Sequence, residues 1–116
     1  TFAVIGRTVA EFMRSFDALL SPTQATPPVE IGKLDLSPER FETFAREVTR
    51  FGPFTALANV TGQPAMSVPL HWTPDGLPVG VMFTGRFGEE ELLFSLAAQL
   101  EAAAPWRHRR PVLSGV

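Results

Sequence analysis

The sequence predicts an α/β domain in which helices pack on a short sheet. Three observations carry that prediction. Residues 89–104, EEELLFSLAAQLEAAA, place Leu92, Leu93, Leu96, Ala97 and Leu100 on one helical face. Residues 64–71 and 77–85 have strand composition and flank TPDG, whose proline and Asp-Gly pair suit a tight turn, giving a β-hairpin. Upstream, a run of helical periodicity leads into a short apolar segment at 18–20 that Pro22 stops, the pattern of a short buried strand. The order is therefore helix, strand, helix, helix, hairpin, helix.

Each element follows from local chemistry. Over residues 3–16, Val4, Ile5, Val9, Phe12, Met13 and Phe16 recur at helical spacing. Residues 24–36 are proline-containing and irregular, a loop. Ser37 is placed to cap a helix over 38–51, with Pro38 at its first position and Glu39 at the positive end of its dipole. Phe41, Phe44, Ala45 and Val48 share one face of that helix. Gly52-Pro53 breaks it, and a short helix over 54–61 follows, closed by Gly62 in a positive-φ conformation. Asn59 is placed to tie that helix end to the next strand through backbone hydrogen bonds. The glutamates at 89–91 complement the dipole of the last helix, and Pro105 ends it. The tail, WRHRRPVLSGV, is basic and then apolar. Three strands alone leave edges with unpaired backbone groups and a sheet face short of cover.

Composition sets the bounds. A chain of 116 residues supports one small domain with one core. Hydrophobic residues make up 45% and charged residues 19%, which excludes an intrinsically disordered chain. A formal charge of −2 gives no electrostatic ground for binding nucleic acid or an anionic membrane. The lack of cysteine rules out disulfides, thiolate zinc sites and cysteine nucleophiles, and it fits a reducing cytoplasm. No apolar run reaches membrane-spanning length, and the N-terminus has no signal-peptide pattern. The sequence opens mid-pattern at Thr1, as expected of a piece of a longer chain. Ten phenylalanines and no tyrosine are a larger apolar load than so short a chain is expected to hold inside.

The residues with chemical potential do not assemble into a catalytic set. Of the serines, Ser67 lies in a strand without the Gly-x-Ser-x-Gly turn that exposes a nucleophile, so its hydroxyl is expected to bond nearby backbone. His71 and His108 lack metal-ligand spacing to each other or to a carboxylate, which points to surface roles. Adjacent glutamates at 89–91 do not share a helix face and make no metal site. The RHRR cluster at 107–110 is expected to be solvated or salt-bridged. Lys33, the single lysine, lies in the proline-rich loop and not in the buried setting a catalytic lysine needs. GRFGEE lacks the Lys-Ser/Thr of a phosphate-binding loop.

The wording of the chain adds what its physics does not. NVTGQPAMSVPL, DGLPVGVMFTGRFGEEELLFSLAAQLE and PWRHRRP, with FDALLSPT and PPVEIG upstream in the same order, resemble the carboxyl-terminal part of the amidase signature family. The resemblance covers nearly the whole chain. It is carried by the combination of Asn59, Gly62, Pro64, Ser67, Pro69, Gly76, Leu77, Pro78, Gly80 and Glu101. It implies a fragment of a three-layer α/β/α fold with a short mixed sheet, in a serine amidohydrolase that cleaves carboxylic amide C–N bonds. The family uses a serine nucleophile, a second serine on a cis peptide and a lysine base, and no metal or other cofactor. No glycine-serine-rich signature occurs in these 116 residues, so no catalytic residue transfers to this chain.

What the resemblance does imply here is a wall of the substrate pocket. In relatives, the helix before the N-x-x-G-x-P turn borders that pocket, which makes Phe54 and Thr55 the candidate substrate-binding residues. Plain helix packing is the competing reading for Phe54, because pocket walls and cores draw on the same apolar residues. The expected partners are the remainder of an amidase chain, a small amide substrate, and a second copy of this chain through an open strand edge or apolar face. A stand-alone interaction module without catalysis, and the amidase subunit of a tRNA-dependent amidotransferase, are the alternatives.

Overall fold

A computed structural model describes residues 1–111. Among these, the elements run α1 (Phe2–Met13), β1 (Ala18–Pro22), a 3-10 turn (Pro38–Arg40), α2 (Phe41–Phe51), α3 (Thr55–Thr61), β2 (Ala65–Trp72), β3 (Pro78–Gly85) and α4 (Glu90–Ala103). The apolar end of the tail, with Ser114, lies outside the described residues.

The expected order of elements is the observed one. β2 and β3 form the hairpin, and the turn between them is closed by Thr73 N–H donating to the Leu77 carbonyl at 2.9 Å. Gly76, at φ 82°, takes the conformation that the Asp-Gly pair suggests. Between Pro69 and His71 the register shifts by one residue. Proline has no N–H to give a ladder, so a bulge on an edge strand is where it is tolerated.

The sheet differs from expectation in one respect. A mixed sheet was implied, yet every pairing among the described strands is antiparallel, in the order β1-β3-β2. The crossover through α2 and α3 makes β1 and β2 run the same way. The hairpin then brings β3 back between them, antiparallel to both, so the parallel pair never touches. Among the described residues, the outer edges of β1 and β2 stay open.

Side chains alternate across this sheet. One face carries Met66, Val68, Val81 and Phe83, and α4 packs on it. Val68, Phe83 and Leu93 form the core, with Leu92, Leu96, Leu100 and Trp106 packed around them. The predicted stripe of α4 is thus its inner face. α4 packs on β3 and β2, and Leu20 of β1 on the same face remains exposed.

The N-terminal elements bury much less than their patterns suggest. α1 ends at Met13, before the expected boundary, and of its apolar stripe only Met13 is buried. Val4, Ile5, Phe12 and Phe16 are exposed, with the rings of Phe12 and Phe16 packed at a tilt, 5.1 Å between centroids. α2 buries no residue, and Phe41 and Val48 on its apolar face are exposed. In all, six of the ten phenylalanines are exposed: Phe2, Phe12, Phe16, Phe41, Phe87 and Phe94.

Two expected local ties are made by other residues. Ser37 does not cap α2. Its N–H and hydroxyl both donate to the Asp35 carboxylate, at 3.0 and 3.2 Å, and a 3-10 turn precedes the helix. Asn59 is exposed, and the tie from the α3 end to the sheet comes from Gln63, whose amide donates to the Gly85 carbonyl at 2.9 Å. Gly62 does end α3 at φ 72°.

Candidate functional site

The face of the sheet opposite α4 presents hydroxyls. By strand alternation and register, Leu19, Ser21, Met82, Thr84 and Ser67 point to this side, where Gly80 leaves a gap and Thr23 follows the end of β1. Two clefts lie along it.

The first, of about 180 Å³, sits between the start of α3 and the sheet. Pro53, Phe54 and Leu57 form its helical wall, and Leu19, Ser21, Met82 and Thr84 form its floor. Phe54 lines the cleft from the start of α3, just after Gly52-Pro53 ends α2. Thr55 is not part of the lining. Its hydroxyl donates to the Gly52 carbonyl at 3.3 Å and closes the turn before α3. The structure therefore separates the two sequence candidates, one at a cleft and one at a helix start. The floor residues escaped sequence reasoning, although the period-2 alternation of Leu19 and Ser21 pointed to a shared face.

The second cleft, of about 260 Å³, lies between the other end of the sheet and the loop after β1. Thr23, Thr26, Pro27, Pro28, Ser67 and Gly80 are among its walls. The loop is held by Ala25 N–H donating to the Phe51 carbonyl at 2.9 Å. Here the Ser67 hydroxyl is 2.6 Å from that of Thr23, 44 positions away in sequence. The expected bond from Ser67 to nearby backbone is replaced by this pair. Neither hydroxyl is a base, so the pair lacks the proton acceptor that would turn a serine into a nucleophile.

Charged groups lie away from both clefts. Arg86 joins the end of β3 to α4 through Glu89 at 2.8 Å and reaches Asp17, before β1, at 3.5 Å. The hydrogen bond to Glu89 and then its negative charge raise the Arg86 pKa, so the group is a cation at every working pH. In the basic tail, Arg109 lies over the Trp72 ring at 4.9 Å, a cation–π contact where solvation or a salt bridge was expected. His71 and His108 are exposed. Among the described residues, no three His, Cys, Asp or Glu side chains gather as a metal site, and no helix is long and apolar enough to cross a membrane.

Comparison with known proteins gives this arrangement a context. A family model described as Amidase matches residues 2–94. A protein of Mycobacterium leprae that bears an amidase name, AmiC, is 44% identical over 100 residues, which are 86% of this chain and 21% of that protein. The solved structure of a 6-aminohexanoate cyclic dimer hydrolase with its substrate has a TM-score of 0.85 and 34% identity, covering 98% of this chain and 25% of that one. A glutamyl-tRNA(Gln) amidotransferase subunit from Thermotoga maritima has a TM-score of 0.69 and 29% identity, covering 93% of this chain and 22% of that one. The chain spans about a fifth to a quarter of the length of these relatives. On the family match and the shared fold together, the chain belongs to the amidase family.

Proposed function

We propose that this chain is the carboxyl-terminal scaffold and one pocket wall of an amide hydrolase, and that it does not turn over substrate alone. The observation that carries the proposal is the Ser67–Thr23 pair. The serine best placed on a sheet face is bonded to a second hydroxyl, and the one lysine of the chain lies in a loop. The nucleophile and base that amide hydrolysis needs are then supplied by the rest of a longer chain, which docks on the open sheet edges and on the exposed phenylalanines. Phe54 contributes an apolar wall, and Thr55 holds the turn that positions it. The substrate is a small amide met in the cytoplasm.

The test is ammonia release from simple carboxamides by the pure 116-residue chain. None is expected. Turnover that disappears when a serine of this chain is replaced would overturn the proposal. The greater likeness to the cyclic dimer hydrolase than to the amidotransferase component favours a free-standing amidase as the parent.

The same open edges and exposed rings favour a second reading for the isolated chain, self-association. Light scattering is expected to show dimers or larger species growing with concentration. A monomer at every concentration would count against it.

A further inference from the structure

We propose that two copies of this chain join β1 to β1 about a two-fold axis at Leu20, so that the sheet of one copy continues into the other. The inference rests on the self-association reading and assigns it to one edge and one register.

The hydrogen-bond ladder decides which groups of β1 are open to pairing. Thr23 N–H donates to the Gly80 carbonyl at 3.1 Å, so Thr23 faces β3. By the alternation of an antiparallel ladder, Ser21 and Leu19 face it too, while Ala18, Leu20 and Pro22 turn their backbone groups outward. No strand borders that edge among the described residues. Of the three outward residues, Pro22 alone lacks a donor.

The strand is complementary to itself in one register. With Leu20 opposite Leu20 of a second copy, the two exchange both N–H···O bonds, and each Ala18 N–H meets the Pro22 carbonyl of the other copy. Residues 18–22 carry no charge, and Asp17 falls opposite Thr23 and not opposite another Asp17, so no like charges meet. The two Leu20 side chains, each 63% exposed in the single copy, come together on the face that holds the core. The β2 edge lacks these features. Gly85 N–H donates to the Pro64 carbonyl, so Ala65, Ser67 and Pro69 turn outward there. Pro69 sits in mid-strand beside the bulge, and both hinder edge pairing. Val68, on the core face of β2, is already buried under α4. A ladder of five residues buries less than the roughly 1,200 Å² of a standard interface, so the dimer is weak and exchanges with monomer.

The experiment is sedimentation equilibrium of the full 116-residue chain and its Leu20→Pro and Leu20→Lys variants, with oxidative cross-linking of single-cysteine variants, which the cysteine-free sequence permits. Leu20→Pro removes an outward N–H and no bond of the β1–β3 ladder. It should weaken the dimer at least about tenfold, through two symmetry-related hydrogen bonds, with an unchanged circular dichroism spectrum. Leu20→Lys keeps the N–H and should weaken the dimer by setting two like charges side by side. Leu20→Cys should form a disulfide dimer at least about tenfold faster than Ala65→Cys on the β2 edge, because Cα atoms in such a pair lie about 5.5 Å apart, within disulfide reach. Association undiminished in both Leu20 variants, or equal cross-linking at the two edges, would overturn the β1 assignment and leave self-association standing through another face. A monomer at every concentration would overturn both. If Leu20→Pro does not fold, Leu20→Lys and the cross-linking rates still decide.

Discussion

The two halves of this chain use similar apolar patterns to different ends. In the hairpin and α4, the pattern closes on itself. Val68, Phe83 and Leu93 meet in a core, and Leu93 is 4% exposed. In α1 and α2, more strongly amphipathic helices leave aromatic residues in solvent, with Phe12 at 53% and Phe41 at 59%. The difference is one of partners and not of pattern. The hairpin supplies a broad surface for α4 close by in sequence, whereas α1 packs mainly on the short α3, where Met13 is buried, and α2 buries no residue. An amphipathic sequence predicts that a helix has an inside, and says nothing of which chain segment provides it.

The most direct way to break the comparison is to truncate one apolar side chain in each half. Leu93→Ala should cost about 2–5 kcal/mol of stability, a large share of what a domain this small possesses. Phe12→Ala, at an exposed ring, should change it by no more than about 0.5 kcal/mol. Urea unfolding followed by circular dichroism measures both, and equal losses would show that α1 is as much part of the core as α4.

A smaller effect sharpens the boundary between the halves. Gly62, at φ 72°, ends α3 where the chain enters the sheet. A Cβ there would make only an ordinary contact, 3.6 Å from Phe87, so the cost of Gly62→Ala is conformational. It should amount to about 1–2 kcal/mol in the same unfolding measurement. A neutral result would mean that the α3 end relaxes freely and does not fix the hairpin.

The smallest expected effect concerns the link across the halves. Arg86 connects Glu89 of the C-terminal half to Asp17 of the N-terminal half on the protein surface. Arg86→Gln should lower the thermal midpoint slightly at low salt and leave it unchanged at high salt, because exposed ion pairs are screened. A loss that persists in high salt would point to packing and not to charge.

What was legible in the sequence follows the same divide. α4, the hairpin and Gly62 are set by neighbours a few positions apart, and their signals are local. Ser37 and Asn59 misled because each has a standard capping or tying role that a nearby side chain fills differently: Asp35 accepts from Ser37, and Gln63 reaches Gly85. The antiparallel order of the strands depends on β3 returning between β1 and β2, which no short window records. The site was least legible. Phe54 was reachable through its motif, but the Thr23–Ser67 pair joins residues 44 positions apart and depends on a glycine in a third strand.

The claim at the centre of this account is that the chain is scaffold and pocket wall without its own nucleophile. Intact-mass spectrometry of the purified chain, with and without a serine-reactive fluorophosphonate, tests it most directly. The account predicts the mass of the 116 residues with no adduct. A stoichiometric adduct on that same mass would place an activated serine within this chain and contradict it.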